Sequence, residues 1–450
     1  MIANRARLAE TFVRELQRYV AQPVLTDERE LAPYARDFGD VGRQTPSAAV
    51  RVQSEREMGT VLRLLRREGV PVSIRGSGFS CGGQTLAAGV VIHNEDVADC
   101  ALASADTVDV AGRTRWSALV AYLHAHRRAP PVLTYALHAS IGGTLSAGGY
   151  GAASVAFGAQ VDHVVRLRLI LPDGEALWCS AYEHADLFRA ALGGMGRIGV
   201  IERAELRTIP LRPLVRRIVR EYAEPASLHD ELLRIAVADE TPDYFFAEHT
   251  RARNLSCSGT NAAAGDLFAP DASDGDIVGC EEFTASPAFA QHAAQGAHVW
   301  CDYFLGASAL GPFLTVAGDV ARSRGPAGGL DRIHILCIRE PAVDGRRAFR
   351  PLPRGDGARF FGVGVFFDVA QSDRGALAAA RSAQAALLDA CVGLGGRPYL
   401  CGAHELDERR IAAMYGHEDA ATEALRAQLD PDRLFNRGSC GPGSRANERR

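Results

Sequence analysis

A glycine-rich segment that follows a short apolar run constrains the fold of this chain more than any other feature. Residues 75–84 read R-G-S-G-F-S-C-G-G-Q, directly after Val72–Ile74. Glycine accepts positive φ and lets backbone N–H groups converge on an anion with no Cβ in the way. Such a segment usually binds a pyrophosphate, but a plain surface turn has the same composition. The segment alone therefore leaves both interpretations open.

A second glycine-rich segment favours the first interpretation. Residues 142–151 read G-G-T-L-S-A-G-G-Y-G. Two dense small-residue loops, each beside a strand, predict a cofactor that lies between them. A third run, G-M-G-R-I-G at 194–199, has the letters of the dinucleotide fingerprint. It follows a predicted helix and opens a predicted strand, which reverses the order that a dinucleotide fold needs, so we reject it as a site.

Composition excludes several classes of function. The 450-residue chain has a net charge of -4, which predicts no binding of nucleic acid or of an anionic membrane. It contains no lysine, which excludes Schiff-base chemistry and a P-loop. Its ten cysteines include no C-x-x-C pair, so we predict reduced thiols and no metal site. The lack of an apolar leader or of a long apolar run predicts a cytoplasmic protein.

The order of predicted elements indicates an α+β protein of more than one lobe. Strands, helices and glycine-rich turns alternate up to Pro210 and Pro213, where we place a boundary. Residues 214–395 read as strands and helices built on one antiparallel sheet. Within them, the polar segment Cys257–Ser286 is predicted to be a loop. Residues beyond about 441 are predicted to be a disordered tail.

Several motifs occur in a fixed order along the chain. They read V-S-I-R-G-S-G-F-S, G-G-Q, S-I-G-G-T-L-S-A-G-G, L-G-G-M-G-R-I-G-V-I, P-Y-L and L-D-P-D-R-L-F. This order resembles that of FAD-linked oxidases of the vanillyl-alcohol oxidase superfamily, and within it cytokinin-dehydrogenase-like and berberine-bridge-like flavoenzymes. The likeness is dense over about 46–210 and returns at about 397–440.

The resemblance implies a layout and a set of cofactor contacts. Residues 1–212, with a core at about 44–210, and residues 396–450 would form a two-part FAD-binding domain of the PCMH type. Residues 213–395 would form an α/β cap domain whose antiparallel sheet covers the flavin ring. By motif position, the implied FAD contacts are Ile74, Gly76, Ser77, Gly78, Phe79, Ser80, Gln84, Ser140, Gly143, Ser146, Tyr150, Ile201, Tyr399 and Asn436, with Ser439 as a further candidate.

Two departures from the family pattern bear on the chemistry. Many family members carry a His that bonds covalently to the flavin where this chain has Phe79, and the second segment holds no Cys. We therefore predict non-covalent FAD, with a thioether to Cys81 as the alternative. Cytokinin dehydrogenases use an Asp as base at the position of Tyr135, which makes cytokinin an unexpected substrate. We predict Tyr135 as a hydrogen-bond donor or base and the nearby His138 as the better-tuned base.

The predicted cap strands offer further polar candidates. Alternation places Phe246 and Glu248 on one face of a strand. Arg332 and His334 share a face of another strand, and Asp302 lies in an aromatic strand. These groups fit a substrate pocket of mixed character or a satisfied core network.

The resemblance implies an FAD-dependent oxidoreductase that removes hydride from a C–H adjacent to N or O of a small molecule in secondary metabolism. O₂ or another acceptor would reoxidise the flavin. A non-redox cyclase or a ligand-binding protein on the same fold is the first alternative, and an NADPH-dependent reductase is the second. The oligomeric state is left open, with a homodimer as one option.

Overall fold

The computed structural model describes residues 8–250, 253–262, 275–284, 296–323, 330–340, 359–404, 406 and 408–437. The chain mixes helices with mostly antiparallel strands, which confirms the predicted α+β class. Within these residues the strands form four sheets. Three sheets come from residues before Leu214, and the fourth comes from Leu214 onward.

The part of the chain before Leu214 contains a parallel and an antiparallel sheet. Its strands are β1 (Ala48–Val52), β2 (Val72–Arg75), β3 (Val90–Asn94), β4 (Cys100–Leu102), β5 (Thr107–Ala111), β6 (Arg128–Ala129), β7 (Val164–Ile170), β8 (Ala176–Ser180), β9 (Val200–Arg207) and β10 (Ile209–Pro210). The parallel sheet has the order β1-β3-β2, and the antiparallel sheet has the order β4-β5-β9-β7-β8. β6 and β10 form a short ribbon.

The remaining strands form one eight-stranded sheet. They are β11 (Leu214–Tyr222), β12 (Tyr244–His249), β13 (Asn254–Asn261), β14 (Asp276–Gly279), β15 (Ala297–Leu305), β16 (Leu330–Arg339), β17 (Arg359–Val369) and β18 (Arg397–Pro398). Their order is β14-β11-β13-β12-β16-β17-β15-β18, and every pairing is antiparallel.

Helices cover the sheets and connect their strands. The described α-helices are Glu10–Gln17, Glu28–Leu31, Glu55–Arg67, Trp116–Ala125, Ile141–Ala147, Ser154–Phe157, Ala185–Ala191, Pro225–Val237, Ala307–Ser323, Arg374–Gly393, Glu408–Tyr415 and His417–Leu429. Short 3-10 turns lie at Ala32–Tyr34, Gln160–His163 and Cys280–Phe283.

The helix Glu55–Arg67 illustrates how local sequence sets these elements. The Ser54 side chain accepts a hydrogen bond from the Glu57 N–H and so caps its first turn. Met58, Val61 and Leu65 recur at helical spacing and are buried against the parallel sheet.

The two faces of β17 show how the large sheet is used. Phe361, Val363, Val365 and Phe367 alternate on one face, fully buried in the core that the helices cover. The other face carries two glycines and then Phe366, a small-residue pattern that leaves space in front of the sheet.

The C-terminal segment returns to the parallel sheet. The Val72 N–H donates to the Leu434 carbonyl oxygen at 2.8 Å, and the Asn436 N–H donates to the Val72 carbonyl oxygen at 2.8 Å. These bonds hold residues 434–436 beside β2, immediately before the first glycine-rich segment. The predicted tail beyond 441 and the predicted contact at Ser439 lie outside the described residues.

The second glycine-rich segment is not the continuous loop that the sequence predicts. It begins inside the helix Ile141–Ala147, and the turn comes only at Gly148 and Gly149, where φ is positive. Ile141 and Leu145 are one helical turn apart and fully buried, so this apolar pair anchors the helix despite its small residues.

The prediction of a loop over Cys257–Ser286 is wrong for its described parts. Residues up to Asn261 belong to β13, and Asp276–Gly279 form β14; both strands pair with β11. Polar Ser, Thr and Asn residues hid the strands, whose backbone hydrogen bonds to β11 do not depend on apolar side chains. Residues 263–274 and 285–286 lie outside the described part.

The helix Ala307–Ser323 was not predicted. Pro312 lies inside it and Gly311 precedes that proline, and both residues are poor helix formers. Leu310, Phe313 and Ala317 are buried against the large sheet, so tertiary packing overrides the weak local preference.

Candidate active site

A cavity of about 930 Å³ lies between the glycine-rich segments and one face of the large sheet. Its wall brings together every described residue that motif position assigns to the cofactor, whereas Ser439 lies outside the described part of the chain. These residues are Ile74, Gly76, Ser77, Gly78, Phe79, Ser80, Gln84, Ser140, Gly143, Ser146, Tyr150, Ile201, Tyr399 and Asn436. The structure therefore places them around one space, while each individual contact with FAD stays a prediction.

The first glycine-rich segment approaches the second so closely that a side chain would not fit between them. A Cβ at Gly76 would overlap the Ser140 Oγ, and one at Gly143 would lie 3.0 Å from the same atom. Gly78 has a φ of 75°, in the left-handed region that favours glycine. Backbone thus forms the wall on both sides, which fits the long, anionic dinucleotide that such cradles hold.

A buried aspartate holds the first segment in place. The Asp37 carboxylate accepts hydrogen bonds from the Ser80 Oγ at 2.8 Å and from the Gly83 N–H at 2.8 Å. Burial raises the pKa of Asp37, and these donors offset part of the rise. Sequence analysis missed this residue, because nothing local connects Asp37 to a segment that begins 38 residues later.

Two residues predicted as polar FAD contacts use their side-chain amides within the protein. The Gln84 Oε1 accepts from the Gly82 N–H at 2.8 Å. The Asn436 Oδ1 accepts from the Ile74 N–H at 2.8 Å, and its Nδ2 donates to the Gly196 carbonyl oxygen at 2.6 Å. Both amides therefore shape the cavity wall, and Asn436 ties β2 to the run that was rejected as a dinucleotide fingerprint.

Phe79 belongs to an aromatic stack at one end of the cavity. Its ring lies 5.0 Å from that of Phe38 at an interplanar angle of 18°, and Phe38 stacks in turn on His298 at 4.9 Å. Cys81 also lines the cavity and is only 2% exposed. Burial, with a smaller contribution from Cys401, raises the pKa of the Cys81 thiol well above its ordinary value.

The opposite wall carries ionisable groups in a row across the large sheet. Glu248 on β12 pairs with His334 on β16, His334 pairs with Gly364 on β17, and Gly364 pairs with Asp302 on β15. Directly paired residues point to the same face, so all three side chains face the cavity. A Cβ at Gly364 would overlap the Asp302 Oδ1, which shows that the carboxyl lies over the central strand.

Aromatic and apolar side chains flank the polar row on both sides. On one side, Arg332 pairs with Phe366 and Phe366 pairs with Trp300. On the other side lie Phe246 and Leu336. The cavity is therefore mostly apolar with a few converging polar groups, the usual character of a small-molecule site.

Glu248 and His334 form an oriented pair. The Glu248 Oε1 lies 3.5 Å from the His334 Nδ1 and 3.7 Å from an Arg332 terminal nitrogen. Burial raises the pKa of Glu248, but His334 and Arg332 outweigh burial and hold the pKa below its ordinary value. Burial lowers the pKa of His334, although Glu248 opposes this. The geometry assigns a proton to Nδ1, and Nε2 has no hydrogen-bond partner in the described part of the chain.

The two histidines and the tyrosine named from sequence have different outcomes. His138 is exposed and does not line the cavity, so the structure gives no support for its prediction as a base. Tyr135 does line the cavity, and its ring makes an edge contact with His334 at 5.2 Å. Burial, followed by Glu248, raises the pKa of Tyr135 far above its ordinary value. A phenol whose pKa is raised stays protonated at neutral pH, which favours Tyr135 as a hydrogen-bond donor over Tyr135 as a base.

Asp302 is the second acid of the row. Burial raises its pKa to about 7, and the neighbouring Trp300 side chain offsets part of the rise. Its carboxyl is therefore close to half-protonated at neutral pH, which suits a group that donates or accepts a hydrogen bond as needed.

Neither a membrane-spanning helix nor a metal-binding cluster occurs in the described ranges. No helix there is long and apolar enough to cross a membrane. No group of three or more His, Cys, Asp and Glu side chains there could hold a metal ion.

Comparison with known proteins agrees with the geometry of the glycine-rich wall. Residues 46–180 match the family described as FAD binding domain. The chain is 34% identical over 202 residues to the uncharacterized oxidoreductase ORF5 in the fasciation locus of Rhodococcoides fascians, covering 44% of this chain and 45% of that protein. It is 34% identical over 223 residues to cytokinin dehydrogenase 1 of Oryza sativa subsp. japonica, covering 47% of this chain and 42% of that protein.

A third relative is cytokinin dehydrogenase 2 of Arabidopsis thaliana, 32% identical over 185 residues that cover 40% of this chain and 37% of that protein. The chain thus spans less than half the length of these relatives. Residues 46–180 thus match an FAD binding domain, and over less than half of its length the chain is similar to proteins named as an oxidoreductase and as cytokinin dehydrogenases.

Proposed function

We propose that the chain is an FAD-dependent oxidoreductase that oxidises a small molecule at a C–H adjacent to N or O. The observation that carries this proposal is the cavity itself, in which the glycine-rich wall faces the row Glu248–His334–Asp302. Bound FAD would supply the acceptor for a hydride. The side chains of the sheet would bind the substrate and transfer its proton.

His334 is the proton acceptor in this proposal. Its Nε2 would take the proton from the N–H or O–H of the substrate, because the lowered pKa keeps the imidazole neutral at pH 7. Glu248 orients the ring through Nδ1 and stabilises the imidazolium once it forms. Tyr135, as a neutral phenol next to His334, would donate a hydrogen bond that positions the substrate heteroatom.

The cofactor is proposed to be non-covalent. Phe79 has no group that can bond to the flavin, and the raised pKa of Cys81 disfavours the thiolate that a thioether would require. The cavity wall contains two more thiols, Cys257 and Cys401.

The layout of the proposed enzyme follows the division of the sheets. We propose an FAD-binding part from residues 1–212 and 396–450 and a cap from residues 213–395. The relatives named as cytokinin dehydrogenases support a small organic substrate, and Tyr135 at the position of their Asp supports one other than cytokinin. A role in secondary metabolism, O₂ or another acceptor, a cytoplasmic location and a homodimer belong to the same proposal.

The test compares two histidines. The protein is mixed anaerobically with a panel of small amines and alcohols, and loss of the visible flavin absorbance identifies a substrate. His334→Gln should then slow flavin reduction by about 10²–10⁴-fold. The wild-type rate should fall in acid, with a midpoint below the ordinary histidine pKa of about 6.5, and this midpoint should vanish in the variant.

His138→Gln is the matched control and should keep the wild-type rate and pH profile. Equal losses in the two variants would contradict the role of His334. A flavin that binds every probe but is never bleached would favour the non-redox cyclase or ligand-binding alternative. Bleaching by NADPH alone would favour the reductase alternative.

A further inference from the structure

Arg332 is a cation at the cavity wall whose charge is only partly neutralised. It lies on β16 two residues before His334, on the same face, and its side chain is 19% exposed. Its closest contact with a carboxylate is the 3.7 Å approach to Glu248, which is beyond hydrogen-bond distance. Its Nε has no hydrogen-bond partner within the residues that the structure describes.

A second arginine of the same cavity shows what full neutralisation would look like. Arg217 on β11 forms ion pairs with two carboxylates, Asp276 at 3.2 Å and Glu282 at 2.5 Å. Within the described residues, Arg332 instead approaches one carboxylate, which it shares with His334. A little-exposed guanidinium with no carboxylate within hydrogen-bond distance among the described residues is costly unless a further acceptor completes it.

The guanidinium also lies over an aromatic ring. Its central carbon lies 5.0 Å from the Phe366 ring centroid, and Phe366 stacks on Trp300 at 5.9 Å with an interplanar angle of 24°. An arginine that rests on an aromatic platform keeps its edge available for bidentate pairing.

Nearby charges leave room for an anion at this point. Arg253 also lines the cavity and helps to lower the pKa of Glu248, so Glu248 stands between two arginines. Arg253 is itself only loosely paired, at 3.9 Å from Glu221. Two arginines therefore act on Glu248, and among the described residues Arg332 shares this carboxylate with Arg253 and His334.

We propose that Arg332 binds a carboxylate of the substrate and so selects small apolar molecules that carry one. Residues two apart on a strand are about 6.5–7 Å apart along the chain. A carboxylate on Arg332 would therefore bring an N–H or O–H a few bonds away to the His334 Nε2. This inference rests on the proposed function and narrows its substrate class to carboxylates.

The test uses three probes of nearly equal shape and different charge: benzoate, benzamide and benzylamine. Isothermal titration calorimetry of the FAD-loaded protein should show benzoate binding at least about tenfold more tightly than benzamide, with benzylamine weakest. Arg332→Gln should abolish the difference between benzoate and benzamide, and Arg332→Lys should retain part of it. Arg217→Gln is the control and should leave the preference in place.

Equal affinity for benzoate and benzamide, or a preference for benzylamine, would overturn the inference. So would a benzoate preference that survives Arg332→Gln. These results are distinguishable from failure of the proposed function, which would appear as protein that holds no FAD or flavin that no substrate reduces. Calorimetry reads the benzoate preference independently of turnover.

Discussion

One wall of the cavity consists mainly of continuous glycine-rich stretches, whereas the facing wall takes single residues from neighbouring strands. The first wall uses backbone and close approach, as at Gly76 against Ser140. The second uses side chains that strand pairing sets in a row, as in Glu248 and His334. The difference fits two tasks: the backbone wall can hold a cofactor, and the sheet wall carries the side chains to which we assign substrate binding and proton transfer.

For cofactor binding and stability, the largest expected effect comes from filling the backbone wall. In Gly76→Ala, the new Cβ overlaps the Ser140 Oγ and forces the two segments apart. Overpacking of this kind costs about 1–3 kcal/mol, which corresponds to about 10–100-fold weaker FAD binding. The ratio of flavin to protein absorbance after purification and a fluorescence titration with FAD measure it.

Gly42→Ala is the matched control, since a Cβ there meets nothing within 4 Å. If both variants bind FAD equally well, the close approach of Gly76 to Ser140 is not needed for cofactor binding. The two walls would then not differ in the way described above.

The ionisable groups of the sheet wall should make the free energy of unfolding depend on pH. Because burial raises the pKa of Asp302 to about 7, the folded protein holds this proton more tightly than the unfolded chain. The stabilisation is complete below about pH 4 and is lost as pH rises through about 7. Asp302→Asn removes this dependence. Between pH 5 and pH 8, the free energy of unfolding of the variant should therefore decrease by about 2 kcal/mol less than that of the wild type.

Chemical denaturation at the two pH values provides the measurement for Asp302→Asn. Asp230→Asn, on an exposed helix position, should behave like the wild type. An identical pH dependence in all three proteins would show that Asp302 is solvated in the folded state and would remove it from the polar row.

The smallest effect is expected at the residue that stands out most in the sequence. Phe79→Leu loses the stack on Phe38, worth about 1 kcal/mol of stability, while FAD stays bound because the backbone wall is unchanged. Acid precipitation should release all the yellow colour from the variant and from the wild type. Colour that stays with the precipitated wild-type protein would instead indicate a covalent bond, with Cys81 as the residue to replace next.

Local sequence determined much of the scaffold. The strand on which alternation places Phe246 and Glu248 is β12 in the structure, because alternating burial acts over a few positions. The first glycine-rich segment could also be recognised from the sequence, since its backbone geometry requires glycine. The helix at Ile141–Ala147 was not predicted, because its residues are mostly small. The apolar pair Ile141 and Leu145 stabilises it only once both side chains are packed in the core.

Tertiary structure alone decided which polar residues meet. Sequence proximity favoured His138, which is exposed, while the pairing of β12, β16, β17 and β15 puts Glu248, His334 and Asp302 in one row. Asp37 reaches the first glycine-rich segment only through folding. The sequence by itself determined the strands and the glycine-rich backbone, which depend on neighbours along the chain. Register between distant strands determined which polar side chains share the cavity wall, because register depends on the packing of the whole sheet.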